Sequence, residues 1–445
     1  MKTTIAAFAA TLALTAASHA ITLDADFDHG SLESWSVTGS TVSLVGRDNY
    51  YGGDRWRWLH FKASDVQSVR PDFRISSNFA GGASRLDGHS MVYSYDQENW
   101  HYFDNGFRSR GGGYTFFNDN PFTQNDVYVA YAFPYSYGRS QAHSQKVLES
   151  PWAEPTLSAD ENGVLGLSPG GIDDLGRTIN PREIYAYRIT NPATDSRRVP
   201  KKKIVVMTGM HAGETLGRLT YEAFIDWMIS DDPVAAKLRD IAEVFAYPTT
   251  NPDGVFAGNN RATVQNPNTE PNGRWSPDNW IGHDDIRING EAMQVDITAT
   301  PGETVDYFID FHSTIPAFPG DDFGFIEEDQ GDDLSPFWQS LLTIQPNILQ
   351  TDSSSTNWTS ANFAEFFLNA EVDVTFETMF GFERPIAYYE EMGKNFGLAF
   401  AQGYGIEIPE PTSALLLAGL LAVSRRSSPT SLLTADNEQG KQKNI

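Results

Sequence analysis

The sequence contains no cysteine among its 445 residues. Disulfide bonds and thiolate metal ligands are therefore excluded, so any metal ion must be held by histidine or carboxylate side chains. Positive charge is also scarce, because 32 Lys and Arg residues are outweighed by 58 Asp and Glu residues, for a formal net charge of −26. Such a chain lacks the basic surface by which proteins bind nucleic acid or anionic membranes nonspecifically. We therefore expect no nucleic-acid partner.

Long apolar runs are missing as well, and two short ones lie near the ends of the chain. Residues 1–20 contain an early lysine, an apolar stretch and a final small-x-small triplet, an order typical of a signal peptide removed during export. Near the other end, Pro409-Glu410-Pro411 precedes the apolar segment Ala414–Val423 and the pair Arg425-Arg426. A bilayer core takes about 20 apolar residues, so this segment is short for a stable span.

The order of motif, apolar segment and arginines in residues 409–426 resembles the PEP-CTERM sorting signal. The resemblance implies cleavage by an exosortase-type processing enzyme, transient membrane contact through the segment, and a final place outside the cell or on its outer surface. Residues 427–445 form a tail that runs further beyond the arginines than such signals usually do. A processed sorting signal and a chance apolar terminus therefore both stay open.

The composition changes once between these ends. Residues 21–150 are rich in glycine, serine, asparagine and aromatic side chains, and alternating segments such as Trp56–Lys62 predict an antiparallel β-sandwich domain. Residues 160–405 alternate buried strands such as Lys203–Thr208 with amphipathic helices such as Glu214–Ile229. This alternation predicts an α/β domain whose mixed, mostly parallel sheet is flanked by helices.

The most informative short pattern is His211-Ala212-Gly213-Glu214, which stands between a predicted strand and a predicted helix. Ligands of open α/β sheets bind at the carboxyl ends of strands, and a later strand also ends in a histidine, His312. Two histidines and a glutamate, with a fourth position open for water, are a common ligand set of catalytic zinc. Taken separately, both signals are weak, because polar residues with purely structural partners are common at strand ends.

Five segments in order resemble the M14 zinc carboxypeptidases, and especially their cytosolic-carboxypeptidase-like branch. They are His211–Glu214, Asn251–Gly254, Arg261, His312 and Val374–Glu377. The resemblance covers residues 80–405 and implies a zinc carboxypeptidase-like fold, hydrolysis of a peptide or peptide-like substrate, and one zinc ion per chain. It implies that His211, Glu214 and His312 hold the metal.

The same resemblance gives catalytic roles to Glu377 and Arg261, and elementary chemistry agrees with it. A carboxylate beside the metal can take a proton from attacking water and pass it to the leaving amine. A guanidinium that stays charged can stabilise the oxyanion that forms. We therefore expect Glu377 to be the general base and Arg261 its electrostatic partner, against a surface charge and a loop salt bridge as alternatives. Asn251–Gly254 is predicted to be a turn that shapes the loop carrying Arg261.

One segment departs from the family pattern. Where the family has D-x-N-R-x-W to grip the terminal carboxylate of the substrate, this chain has Glu270–Trp275. Asn272 matches, but Gly273 occupies the arginine position and Arg274 comes one residue late. We expect Asn272 and Arg274 to bind substrate if a local shift brings the arginine into the cleft; otherwise the preference for free C-termini weakens. Glu270 is expected to orient a zinc-bound imidazole.

Three functions are compatible with these patterns. We favour a secreted zinc metallocarboxypeptidase acting on C-terminal or isopeptide bonds, because metal ligands, base and arginine are all present. Gly273 and the aromatic-rich N-terminal region favour instead a catalytically weak protein that binds the exopolymer matrix. A deacylase that releases acyl groups from amino acids is the third. The acidic segment Gly320–Asp322 is expected to be either a cation site or a solvated loop.

Overall fold

The structure is a computed structural model that describes residues 20–50, 53–109, 112–194, 200–298, 304–315, 321–328, 331–352 and 359–408. The predicted signal peptide (apart from its last residue), the sorting segment at 409–426 and the tail at 427–445 lie outside the described residues, so they stay predictions. Within the described residues, no helix has both the length and the apolar character that crossing a bilayer requires.

Short strands build the first part of the described chain. They are β1 (Thr22–Asp24), β2 (Ser34–Thr38), β3 (Thr41–Val45), β4 (His60–Ser64), β5 (Asp72–Ile75), β6 (Val92–Ser94), β7 (Trp100–Tyr102), β8 (Asn105–Arg108), β9 (Tyr114–Phe117) and β10 (Val127–Ala130). They form two five-stranded sheets with strand orders β1-β4-β10-β6-β7 and β2-β3-β5-β9-β8. One apolar cluster holds side chains from both sheets, and the rings of Phe61 and Phe73 lie 5.6 Å apart within it.

One strand pair differs from the antiparallel arrangement that the sequence predicts. β3 and β5 are parallel, because the chain between them crosses to the other sheet as β4 and returns in the same direction. The segment predicted to be a strand at Trp56–Lys62 also becomes regular only at His60, while Trp56 makes an isolated bridge to Phe79. The β-sandwich stays a prediction.

The rest of the described chain alternates helices and strands. The helices are α1 (Tyr137–Leu148), α2 (Thr215–Met228), α3 (Pro233–Ile241), α4 (Pro252–Ala257), α5 (Asp284–Thr298), α6 (Pro336–Ile344), α7 (Ser360–Leu368) and α8 (Ile386–Gly403). The strands are β11 (Ala153–Pro155), β12 (Val164–Leu167), β13 (Gly171–Ile172), β14 (Thr178–Ile179), β15 (Glu183–Tyr185), β16 (Tyr187–Ile189), β17 (Lys202–Thr208), β18 (Ala242–Tyr247), β19 (Tyr307–Thr314), β20 (Phe323–Ile326), β21 (Leu349–Asp352) and β22 (Asp373–Met379). The mixed α/β fold predicted from the sequence is confirmed.

The main sheet has eight strands in the order β11-β16-β18-β17-β19-β22-β20-β21. Its centre, from β18 through β17 and β19 to β22, is parallel, and antiparallel pairs flank it on both sides. β17 and β19 are almost wholly buried, because apolar residues fill both faces, as expected of a parallel sheet covered by helices. Since the central strands run in one direction, the residues that follow them meet at one edge of the sheet.

Helix α2 approaches β19 closely at Gly217. A Cβ atom on Gly217 would lie 2.3 Å from the carbonyl oxygen of His312, so only glycine fits without movement. The Gly217 N–H also donates to the hydroxyl of Ser313 over 2.7 Å. The start of α2 and the end of β19 are therefore held at a fixed, short separation.

The N-terminal sheets pack directly on the α/β part. The described residues as far as Glu407 belong to one compact unit. The apolar cluster of the two sheets continues into Leu219 of α2 and into Phe380 after β22. A backbone hydrogen bond of 2.9 Å joins Asn260 to Asn49 across the same junction. The boundary near residue 150 stays a prediction, but the two regions share a continuous core.

We expect Gly217→Ala to lower the free energy of unfolding, although alanine favours a helix over glycine by about 1 kcal/mol. The added methyl group meets the backbone of β19, which cannot rotate away, so α2 must shift at a cost of about 1–3 kcal/mol, as for other overpacked sites. Urea unfolding measures the difference. Gly273→Ala is the control, because nothing lies within 4 Å of its added Cβ. A gain in stability of about 1 kcal/mol in Gly217→Ala, as helix propensity alone predicts, would contradict the close approach.

Candidate metal centre

The turn between β17 and α2 carries the first two candidate ligands. After Thr208, the last residue of β17, Gly209 takes a φ of 75°, which lies in the left-handed region that favours glycine. The chain then reaches His211, and Glu214 occupies the position immediately before α2. Nδ1 of His211 lies 3.0 Å from Oε1 of Glu214. The turn thus brings both side chains to the carboxyl end of a central strand.

Strand β19, a parallel neighbour of β17, supplies the third candidate ligand. Nδ1 of His312 lies 3.0 Å from Nδ1 of His211 and 2.8 Å from Oε2 of Glu214. One ligand atom from each of the three residues lies within 4.8 Å of the others, and all three residues are at most 3% exposed. Two imidazole nitrogens and a carboxylate that converge in a buried place form the donor set of catalytic zinc, so these residues fit a zinc ion.

Each imidazole has a second carboxylate close to its other nitrogen. Nε2 of His211 lies 2.6 Å from Oε1 of Glu270, and Nε2 of His312 lies 2.8 Å from Oδ2 of Asp310. The same Asp310 oxygen accepts a hydrogen bond of 2.6 Å from the hydroxyl of Ser360. Carboxylates in this position fix the ring orientation and leave Nδ1 turned toward the metal position. Glu270 therefore lies where the sequence predicts it.

Asp310 is a residue of the site that sequence reasoning missed. It precedes His312 by two positions on β19, and alternate residues of a strand share a face, so the D-x-H spacing carried a usable signal. Burial opposes protonation of His312, but Asp310 and Glu214 outweigh it and raise the pKa of that imidazole well above its usual value. This concentration of negative charge favours a cation at the centre.

Glu377 lies beside the candidate ligands on the next strand. β22 is parallel to β19, with Glu377 paired in register with His312. The side chain is half-buried, and its Oε2 is enclosed with no hydrogen-bond partner among the described residues. Burial and repulsion from Glu214 raise the pKa of Glu377 to about 7, while His312 and Arg261 act in the opposite sense. Such a carboxyl group can exchange protons near neutral pH.

Arg261 reaches the same centre from the loop after α4. Its Nη1 donates to Oε1 of Glu214 over 3.0 Å, and its Nε donates to Oε2 of Glu270 over 2.7 Å. The guanidinium therefore lies where an electrostatic partner is expected. Its positive charge is already shared between two carboxylates.

The segment Asn251–Gly254 shapes this loop, although not as the turn that the sequence predicts. It starts α4, because the side chain of Asn251 caps the helix by accepting from the Gly254 N–H, and proline suits the first helical position. The Asn251 amide also donates to the carbonyl of Arg261 over 3.3 Å. The cap thus ties the helix start to the arginine loop.

The residues predicted to bind substrate, Asn272 and Arg274, differ in their distance from the candidate ligands. The Asn272 N–H donates over 3.1 Å to Oε1 of Glu270, the oxygen beside His211. Oδ1 of Asn272 accepts a hydrogen bond of 3.2 Å from the backbone of Ser360, at the start of α7. Arg274 lies near His283, whose pKa is lowered by burial and by the positive charge of Arg274. Among the described residues, the structure shows no contact between Arg274 and the three ligands. Their role in substrate binding stays a prediction without support from the geometry.

The acidic segment before β20 was expected to be a cation site or a solvated loop. Its described residues, Asp321 and Asp322, form neither. Asp322 is fully buried and accepts hydrogen bonds from Arg384 Nη1 over 2.7 Å and from the Tyr388 hydroxyl over 2.6 Å. Asp321 pairs with the same arginine. Because Arg384 pairs with both carboxylates, the described part of this segment is an ion-paired junction.

Comparisons with known proteins agree with the donor set. Residues 171–299 match the family model Peptidase_M14, described as zinc carboxypeptidase. The chain is similar to Cytosolic carboxypeptidase 2 of Xenopus tropicalis, with 25% identity over 257 residues, and to Cytosolic carboxypeptidase 6 of Mus musculus, with 25% identity over 243 residues. Each match covers 54% of this chain but only 25% and 40% of those proteins, so the matched region spans less than half of either relative.

Solved structures show the same fold over a longer stretch. A metallo-carboxypeptidase from Burkholderia cenocepacia has a TM-score of 0.68 and 21% identity, covering 87% of this chain and 98% of that one. One from Pseudomonas aeruginosa, in complex with (2-guanidinoethylmercapto)succinic acid, has a TM-score of 0.68 and 20% identity, covering 86% and 98%. Coverage this wide extends beyond the α/β part, so the N-terminal sheets belong to the shared fold.

We expect the chain to bind about one zinc ion and to gain thermal stability from it, because a ligand that binds only the native state stabilises that state. His312→Ala should abolish both effects. Asp310→Asn should lower zinc affinity about 10- to 100-fold, as for other carboxylates that orient a metal-bound imidazole. Competition with a chromophoric chelator measures the affinity. The exposed His101→Ala is the control, and wild-type affinity in His312→Ala would refute the ligand assignment.

Proposed function

We propose that this protein is an exported zinc metallocarboxypeptidase that hydrolyses peptide bonds at C-terminal or isopeptide positions. The observation that carries the proposal is the place of Glu377, in register with His312 on the neighbouring parallel strand, beside the convergent ligand atoms. The match of residues 171–299 to the zinc carboxypeptidase family supports it. Export is proposed from the sequence patterns at residues 1–20 and 409–426 alone.

The proposed chemistry divides the reaction among the residues around the metal position. When bound, a zinc ion supplies Lewis acidity that polarises the scissile carbonyl. Glu377 takes a proton from the attacking water and delivers it to the leaving amine. Arg261 gives up one of its carboxylate contacts and donates to the developing oxyanion. Glu270 and Asp310 keep the two imidazoles oriented throughout.

We also propose that the two N-terminal sheets form a β-sandwich. Aromatic contacts between Phe61 and Phe73, and between Phe73 and Phe103, support packing of one sheet on the other. The proposed route to the cell exterior includes cleavage by an exosortase-type enzyme after transient membrane contact through residues 409–426.

A catalytically weak matrix-binding protein and an amino-acid deacylase are the other candidates. A matrix-binding protein does not need a carboxylate whose pKa is near 7 beside an enclosed ligand set. The raised pKa of Glu377 therefore favours the catalytic candidate. The second differs from a peptidase in its substrate rather than in its metal centre. A substrate panel that includes N-acyl amino acids therefore separates the two hydrolases.

We expect Glu377→Gln to keep zinc but to lose about 10²- to 10⁴-fold or more of the hydrolytic rate, because the amide cannot accept a proton. Release of amines from a panel of blocked peptides, glutamyl isopeptides and N-acyl amino acids measures the rate, and metal analysis measures the zinc. Glu390→Gln on the exposed side of α8 is the control for the loss of a carboxylate. Full activity in Glu377→Gln would refute the proposed base, and no hydrolysis by the wild type would refute the proposed function.

A further inference from the structure

The segment between β3 and β4, in the N-terminal part of the chain, places an arginine inside the junction with the α/β part. Arg57 is only 8% exposed. Its backbone N–H donates to the side chain of Asn49 over 2.9 Å, and the carbonyl of Asn49 accepts from Asn260 over 2.9 Å. Asn260 immediately precedes Arg261. The segment that carries Arg57 is therefore tied to the loop that carries the catalytic arginine.

The guanidinium of Arg57 lies close to the metal centre. Its central carbon is 5.2 Å from the ring centroid of Tyr50, and the corresponding carbon of Arg261 is 5.9 Å from the same centroid. Both guanidinium groups therefore lie near the same aromatic ring. The pKa of Arg57 is lowered by burial and by repulsion from Arg261, and Glu214 acts in the opposite sense. Both charges that act on Arg57 most strongly belong to the candidate active site.

Arg57 has no anionic partner of its own. Among the described residues, no carboxylate forms a salt bridge with it, and its guanidinium donates no hydrogen bond. The nearby carboxylates are committed elsewhere: Glu214 to both histidines and Arg261, and Glu270 to His211 and Arg261. The Arg57 nitrogen atoms are not fully enclosed, so a ligand can reach them. A largely buried guanidinium without a carboxylate partner points to an anion that arrives with such a ligand.

The position where an arginine was expected gives independent support. Gly273 has open space around it, and Arg274 lies near His283 instead of at the metal ligands. Arg261, the other cation of the centre, is balanced by two carboxylates. Among Arg57, Arg261 and Arg274, only Arg57 is buried near the centre without a carboxylate partner among the described residues.

We propose that Arg57, contributed by the N-terminal β-region, binds a carboxylate of the substrate. The inference rests on the proposed peptidase function and adds a substrate class to it: peptides that carry a carboxylate close to the hydrolysed bond. A guanidinium presents two parallel N–H donors that match the two oxygens of a carboxylate. The carboxylate is either the free C-terminus or an acidic side chain, and both have the same chemistry at Arg57.

The test measures binding of three acetylated peptides to zinc-loaded full chain carrying Glu377→Gln, so that none is hydrolysed. The peptides are Ala-Ala-Ala-Phe with a free C-terminus, the same peptide as its C-terminal amide, and Ala-Ala-Glu-Phe amide. We expect at least one carboxylate-bearing peptide to bind about tenfold or more tightly than the neutral one, as for hydrogen bonds to charged groups. The peptide that shows the advantage identifies the source of the carboxylate.

Adding Arg57→Met should remove this advantage and leave the affinity for the neutral amide within about twofold. Arg57→Lys should keep part of the advantage, because the charge remains but the paired donors are lost. The exposed neighbour Arg55→Gln is the matched control and should change nothing. Thermal unfolding tests a merely structural role: loss of an unpaired buried charge should leave Tm unchanged or raise it, whereas a structural arginine would lower Tm.

Three results would overturn the proposal. They are equal binding of neutral and carboxylate-bearing peptides with Arg57 present, an equal loss for all peptides in Arg57→Met, and no binding of any peptide. Hydrolysis by the unmutated chain is measured separately on the same peptides. Carboxylate-dependent binding that Arg57→Met removes, without any hydrolysis, would refute the peptidase function and leave the anion site in place.

Discussion

A single zinc ion can be shared here only because β17 and β19 are parallel neighbours. Their register pairs Thr208 with Phe311, so His211 and His312 follow on the same edge of the sheet. The close approach of α2 at Gly217 then sets the height of Glu214 against His312. If either the register or the helix contact moved by one residue, the three ligand atoms would point to different places.

Charge balance around the ligands follows from this geometry. Three carboxylates, Glu214, Glu270 and Asp310, surround two imidazoles and one guanidinium, which leaves negative charge for a metal cation to neutralise. Glu377 then sits next to a negative group in a partly buried place, and its pKa rises as a result. Binding a divalent cation would reduce that repulsion, so the metal and the base are electrostatically coupled.

The N-terminal sheets are more than an attached domain. Their core continues into α2, and their loops bring Asn49, Tyr50 and Arg57 to the side of Arg261. Fold comparisons that cover 86% and 87% of the chain show that solved metallo-carboxypeptidases share this arrangement of the two regions. A substrate cleft built from both regions can use side chains that the α/β part lacks, which matters where Gly273 stands at the expected arginine position.

The sequence by itself determined the alternation of strands and helices, the H-x-x-E turn and the strand-end histidine, because each depends on local periodicity and on residues at strand ends. The resemblance to the carboxypeptidase family indicated Glu377. It also indicated Glu270 through the order of the motifs. Only the tertiary structure decided that Asp322 pairs with Arg384 and that Arg57 lies beside Arg261 without a carboxylate partner among the described residues. These facts join residues that are far apart in the chain or belong to different sheets, and a burial or a charge pair that depends on the packing of separate elements leaves no periodic signal in the sequence.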